Sequence, residues 1–168
     1  IREHSKQNLL RAFTILFFTG LRLNELQQMR LSHIVELLEH GSTKLVLSKT
    51  QSERKLFAGD EFKKQLLKLF YLSSEVDKEE RVITKGAVKS NRTGINSDVF
   101  IKQVNSKIKE ILGSGYTSHS FRQGLITEMG AKQINTKIIS KFIGHSDVKT
   151  TMRYINPTDE DLIGAMIR

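Results

Sequence analysis

Six side chains stand at signalled turns of this sequence and could do chemistry together: Arg22, Lys49, His119, Arg122, His145 and Tyr154. Arg22 follows a glycine in Thr19-Gly20-Leu21-Arg22-Leu23-Asn24-Glu25-Leu26, at a helix start. Glu25, three residues on, shares its helix face and can pair with it. Lys49 stands in the turn after a strand-like run. His119-Ser120-Phe121-Arg122 opens a helix with a histidine and an arginine one turn apart. Gly144-His145-Ser146-Asp147 is a turn into another helix, and Tyr154 follows nine residues after His145. Taken singly, each has an ordinary explanation: a surface ion pair, a solvated lysine, a polar helix face, a capping histidine, a half-buried tyrosine. As a set they are cations and one phenol, residue types suited to a phosphate. Guanidinium is planar, bidentate and permanently charged. A hydroxyl becomes a covalent nucleophile once a neighbour takes its proton.

Charge points the same way. The 168 residues carry 27 Lys+Arg against 18 Asp+Glu, a formal net charge of +9, which suits a polyanionic partner. Arg81, Lys85, Lys89, Arg92, Lys102, Lys107 and Lys109 lie in one stretch that holds a single acid, Asp98, so this segment supplies +6 of the +9. Clustering of this kind is the footprint of a surface that tracks phosphates. Other site types are not signalled. There are no cysteines, which removes disulfides, thiolate metal sites and thiol nucleophiles. There is no Walker-type loop, no dinucleotide glycine fingerprint and no H-E-x-x-H. The five histidines lack metal-ligand spacing, so no metal site is expected. Gly113-Ser114-Gly115 is better explained as a helix C-cap than as a phosphate loop.

The elements that must position these groups are mostly helical. Apolar positions at Leu9, Leu10, Phe13, Leu16 and Phe17 predict a helix over 6–18, ended by Gly20, with a short one from Leu23 to Arg30. His33–Leu38, Lys44–Leu47 and Arg54–Phe57 are short, β-capable runs and predict a small antiparallel sheet. Asp60 is the expected N-cap of a helix through Phe62, Leu66, Leu69 and Phe70. Residues 73–95 are expected to form a long loop, and Asp98 to Leu112 returns to helical period. Thr117 or Ser118 is expected to cap a helix reaching Gly130, Asn135 one over Thr136–Ile143, and Asp147 one through Tyr154. Asn156-Pro157 breaks the chain before a terminal helix from Asp159 to Ile167. The fold class is mainly α with a small antiparallel β-sheet (α+β). A composition of 38% apolar and 27% charged residues is that of a globular domain, and no apolar run approaches the ~18 residues of a membrane helix. The opening residues are too polar for a secretory signal, and Ile1 is not a natural start, so a piece of a longer protein is expected.

In order, Arg22, Lys49, His119-x-x-Arg122, Gly144-His145 and Tyr154 resemble the catalytic domain of the tyrosine recombinase (phage integrase) family. The segments TGLRLNEL, HSFR and IGHSDVKTTMRYIN carry the resemblance, in sequence, order and spacing, and it spans essentially the whole chain, residues 1–168. Two departures stand out. Gln123 follows Arg122 where the family often has histidine, and the acidic stretch Glu36 to Glu39 lies between Arg22 and Lys49. Lys44 and Lys55 are neighbours that could stand in for Lys49. The family's N-terminal core-binding domain is absent from this chain.

The resemblance implies cutting and rejoining of double-stranded DNA through a 3′-phosphotyrosyl intermediate, with neither metal nor nucleotide cofactor. It implies that Tyr154 is the nucleophile, with Tyr116 and Tyr71 as rivals. Arg22 and Arg122 would hold the non-bridging oxygens and Lys49 would protonate the leaving 5′-oxygen. His119 would help remove the phenolic proton, His145 would contact a non-bridging oxygen, and Glu25 would hold Arg22. Lys85, Lys89, Arg92 and Lys102 are expected on the DNA backbone. A homotetramer on two DNA sites is implied, with cytoplasmic or nucleoid-associated location and no membrane. The terminal helix, with Leu162, Ile163, Met166 and Ile167 on one face, would dock on its own domain or on a neighbouring protomer. Two competing functions are a type IB topoisomerase and a DNA-binding module without catalysis.

Overall fold

The computed structural model describes residues 3–48, 51–85, 94–145, 147–156 and 158–166, with backbone alone at 161, 162 and 166. Lys49, Lys89 and Arg92 lie outside the described residues, as do Thr50, Ser146, Pro157 and Ile167. The chain divides into two compact units, Ile1–Arg122 and Gln123–Arg168. Its described elements are helices and a single two-stranded antiparallel sheet, the expected fold class.

The first unit is built on α1 (Glu3–Thr19), which buries Asn8, Ala12, Ile15, Leu16 and Thr19 at the three- and four-residue spacing of one helix face. Gly20 ends it in the left-handed region, at φ 60°, and its N–H closes on the Leu16 carbonyl at 2.9 Å. The one-turn helix α2 (Leu23–Leu26) follows at once, with Arg22 in extended conformation at its N-cap.

The next element differs from the expectation. Residues 31–40 form a helix, α3 (Leu31–His40), and His33–Leu38 is not a strand. Its buried residues are Leu31, Ile34 and Leu37, a three-residue period that outweighs the β-branched pair Ile34-Val35. Gly41, at φ 71°, caps its end. Glu36 and Glu39 therefore sit on a helix. The sheet holds only β1 (Ser42–Val46) and β2 (Glu53–Phe57), in the register Ser42↔Phe57 to Val46↔Glu53. Thr43 and Leu45 on β1, and Arg54 and Leu56 on β2, face inward.

Helix α4 (Asp60–Leu69) buries Phe62 and Leu66, and the Phe62 ring stacks on Phe18 at 4.7 Å. Its N-cap is Gly59, one residue before the expected Asp60, whose carboxylate instead lies in the first turn and favours the helix dipole. Residues 73–85 form no helix or strand, as expected of a loop, but an isolated bridge joins Arg30 to Arg81. Helix α5 (Ser97–Leu112) is capped by the Asn96 side chain and buries Phe100, Val104 and Ile108. These residues, with those of α1 to α4, make one apolar core.

Helix α6 (Ser118–Ala131) begins in the first unit and continues into the second. Thr117 precedes it as the capping residue: its hydroxyl accepts from the His119 N–H, and its own N–H donates to Ser120 Oγ. In the second unit α7 (Thr136–Ile143) runs from the Asn135 cap to Gly144, as expected. Asp147 caps α8 (Val148–Met152), which ends two residues before Tyr154. Ile126, Ile139 and Ile143 are the buried centre, with Tyr154 and Ile155 packed on them. Helix α9 (Asp159–Met166) follows, with Ile163 exposed.

Candidate active site

The turn from Thr19 to Glu25 gathers three arginines. Arg22 is held by Glu25: its backbone N–H donates to Glu25 Oε2 at 2.7 Å and its Nη1 to Oε1 at 3.3 Å. The Glu25 carboxylate is 5% exposed and the Arg22 side chain 43%, so the acid is sealed in and the cation faces outward. The R-x-x-E pair is therefore a half-buried clamp and not an exposed ion pair. Arg122, on α6, reaches the same turn from 102 residues away: its Nη1 donates to the Gly20 carbonyl at 2.7 Å. Only 6% of Arg122 is exposed. A glycine with φ 60° lets the chain reverse tightly enough to present that carbonyl.

The third arginine was not legible as a site residue. Arg54, on β2, is 3% exposed, and its Nη2 donates to the Thr19 carbonyl at 3.2 Å. Successive carbonyls of one turn are thus gripped from a strand and from a helix. Burial pushes the Arg54 guanidinium down to about 10; nearby Glu25 opposes this and nearby Arg22 adds to it. The signal available in the sequence was its phase, since Arg54 alternates with Leu56 and Ala58 on the inward side of the strand.

His119 lies in the first turn of α6, exposed, one turn before Arg122. Lys49 falls between β1 and β2 in sequence and lies outside the described residues. Its two possible substitutes are otherwise engaged: Lys44 pairs with Glu53 at 3.2 Å, and the Lys55 ammonium sits 5.2 Å from the centre of the Phe57 ring. Both occupy the outward face in mid-strand, opposite each other in the register.

The remaining candidates belong to the second unit. His145 Nδ1 shares a hydrogen bond of 2.8 Å with the hydroxyl of Thr151, a fully buried residue of α8. The His145 N–H also donates to the Ser140 carbonyl at 2.9 Å. The imidazole is therefore fixed at the end of α7 by a residue that carries no functional mark in the sequence, a threonine three positions before the tyrosine. The Tyr154 N–H donates to the Thr151 carbonyl at 3.1 Å, which links both candidates to one residue. Tyr154 is half-buried and lines an open cleft of about 560 Å³ with Thr127, Gly130 and Asn156. Close approach matters here, because a Cβ on Gly130 would lie 3.1 Å from Ile155 Cγ1. The rival tyrosines Tyr71 and Tyr116 are 90% and 51% exposed in the first unit.

In the basic stretch, Lys85 and Lys102 are exposed, while Lys89 and Arg92 lie outside the described residues. Arg81 is engaged internally, its Nη1 donating to the Gln28 carbonyl at 2.8 Å, and Lys107 pairs with Glu110 at 2.7 Å. Among the described residues no group of three His, Asp or Glu is placed to hold a metal ion. No helix among them is long and apolar enough to cross a membrane.

Known proteins resemble this chain in sequence and in fold. The tyrosine recombinase XerC of Treponema denticola is 26% identical over 167 residues, spanning 89% of this chain and 52% of that protein. The chain thus spans about half the length of that relative. Three solved structures share the fold. XerA recombinase has a TM-score of 0.65 at 17% identity over 98% of this chain and 62% of that one. The Tn1549 transposon integrase in complex with a circular intermediate DNA gives 0.67 at 18%, over 93% and 57%. The XerH site-specific recombinase bound to difH substrate, a pre-cleavage complex, gives 0.67 at 20%, over 99% and 48%. The model of the phage integrase family matches residues 2–161, and the chain belongs to that family.

Proposed function

We propose that this chain is the catalytic domain of a site-specific DNA recombinase that cuts and rejoins duplex DNA through Tyr154. One observation carries the reading. Arg22 and Arg122, far apart in sequence, meet at a single turn, with Glu25 holding one and the Gly20 carbonyl the other. Permanent cations fixed before the substrate arrives can stabilise charge that grows on a phosphate in the transition state. Because they are already ordered, they need little reorganisation at the moment of reaction.

In the proposed step the Tyr154 hydroxyl attacks the scissile phosphorus in line. The new bond is tyrosyl O–P, and the bond broken joins phosphorus to the 5′-oxygen. A free phenol titrates near ~10, so its proton must be accepted, and His119 is assigned that role. The departing 5′-oxygen takes a proton from Lys49. Arg22 and Arg122 fork onto the non-bridging oxygens, and His145, oriented by Thr151, adds a further contact there. The link conserves the phosphodiester, so a 5′-hydroxyl from another strand can reverse the attack and complete exchange. Lys85, Lys89, Arg92 and Lys102 are assigned to the flanking DNA backbone. A homotetramer on two duplexes is the proposed working form, with the 158–168 segment packing on a neighbouring protomer.

Nicked suicide DNA, labelled on the strand retained by the protein, provides the test. The expected result is a covalent adduct under denaturing conditions, and joining of two sites in a two-plasmid assay. Relaxation of supercoils without joining would favour a topoisomerase. Binding without an adduct would leave only a DNA-binding module. If removing 158–168 spares synapsis, packing on the neighbour is wrong.

A further inference from the structure

Arg54 has no place in the step above, yet it is the most buried cation among the described residues of the first unit. It is 3% exposed, and its Nη2 has the Thr19 carbonyl. Its Nε and Nη1 are buried with no hydrogen-bond partner among the described residues. Buried polar groups are satisfied in the great majority of cases, so a guanidinium with two such nitrogens on a strand needs a reason. An apolar side chain at this inward position, beside Leu56, would fill the space without that cost.

The reason lies in the charge count at the turn. Glu25 alone, clamped on Arg22 at 2.7 and 3.3 Å, would offset most of the Arg22 charge. A neutralised arginine is a poor anchor for a phosphate. A second, sealed cation within the field of the same carboxylate changes this: it shares the field of Glu25 and leaves a net positive charge at the exposed Arg22. The same side chain fixes the Thr19 carbonyl, the last residue of α1, and so ties β2 to the turn. We propose that Arg54 is a positioning residue for the cleavage step, pinning the turn at Thr19 and sparing the charge of Arg22 from Glu25. Arg54 touches no substrate; it acts through Arg22. The inference rests on the recombinase reading for the identity of the anion, but the coupling among Arg54, Glu25 and Arg22 does not.

The test compares Arg54→Met, Arg54→Lys, Glu25→Gln and Arg54→Met/Glu25→Gln with the parent protein. Single-turnover cleavage of suicide DNA is measured at saturating protein, and thermal stability is measured alongside. Arg54→Met should lower the cleavage rate on the order of 10- to 100-fold, with DNA affinity changed far less. Adding Glu25→Gln to Arg54→Met should recover part of that loss, because the carboxylate that neutralises Arg22 is then gone. A merely structural arginine predicts the opposite, a double variant slower than either single one. Arg54→Lys should retain most of the rate at low pH. It should lose rate, relative to the parent, as pH rises through the lowered pKa of a buried lysine.

Arg54→Met cleaving within about twofold of the parent, a tenfold change being the scale of one strong contact, would overturn the proposal. So would a double variant slower than both singles. A parent that forms no adduct overturns the recombinase reading and the positioning role with it. The coupling is then judged on stability alone. It is upheld if the double variant is more stable than the summed single losses predict, and rejected if the losses add.

Discussion

Glu25→Gln tests how the turn is held, and its cost can be worked from the contacts. The carboxylate accepts the Arg22 N–H at 2.7 Å, and a glutamine oxygen could retain that bond only as a neutral one, losing about 1 kcal/mol. The second contact, at 3.3 Å to Arg22 Nη1, places the new amide NH₂ against a guanidinium, donor against donor. With Arg22 43% exposed, that pair is worth at most about 1 kcal/mol. The largest share comes from Arg54, which loses the carboxylate favouring its charged form while it remains buried, a further ~1–2 kcal/mol. The sum is about 3 kcal/mol, or ~6–12 °C in Tm for a chain of this size.

Urea unfolding and calorimetry read this directly, and Glu110→Gln serves as the control. Glu110 pairs with Lys107 at 2.7 Å, a shorter contact, but its side chain is 65% exposed. Solvent screening predicts a cost below about 0.5 kcal/mol there. If Glu25→Gln costs no more than Glu110→Gln, burial does not set the strength of the clamp and the reasoning fails.

Other outcomes follow from the same geometry. Arg122→Lys should lower cleavage ~10²–10³-fold, since one ammonium cannot keep the Gly20 carbonyl and also fork onto a phosphate; single-turnover kinetics measure it. Thr151→Val preserves shape but removes the hydroxyl that holds His145 Nδ1, and should slow cleavage ~10-fold with DNA binding little changed. His33 is pushed below its ordinary value by burial, opposed by Glu36 and the Arg30 backbone contact and aided by the charges of Arg30 and Arg81. The unfolded chain therefore binds this proton first, and the stability His33 supplies is present above about pH 6.5 and lost as pH falls through its lower folded value. Urea titrations between neutral and acid pH should show that slope in the parent and a shallower one in His33→Asn.

Much of this was legible because local chemistry and tertiary role coincide. Asn135 and Asp147 cap helices where side-chain chemistry says they should, and Arg22 and Glu25 share a turn because they are three residues apart. His33–Leu38 reads as a strand but folds as a helix, because Ile34-Val35 satisfies a strand locally while Leu31, Ile34 and Leu37 satisfy a helix only when the core on one side is known. The roles of Arg54 and Thr151 are hidden for a related reason. Phase with Leu56 places Arg54 on the inward side of its strand, but neither it nor Thr151 carries any mark of its partner until Thr19 and His145 are brought beside them. The Gly20 carbonyl that receives Arg122 is likewise a contact between distant residues, which no local pattern encodes.

The central claim is that Tyr154 carries the DNA, and peptide mapping of the covalent adduct tests it most directly. Protein trapped on suicide DNA is digested with nuclease and protease, and the residue bearing the nucleotide is located by mass spectrometry. The account predicts a 3′-nucleotide on Tyr154 and no adduct from Tyr154→Phe. A nucleotide on Tyr71 or Tyr116, or an adduct that persists in Tyr154→Phe, would contradict it.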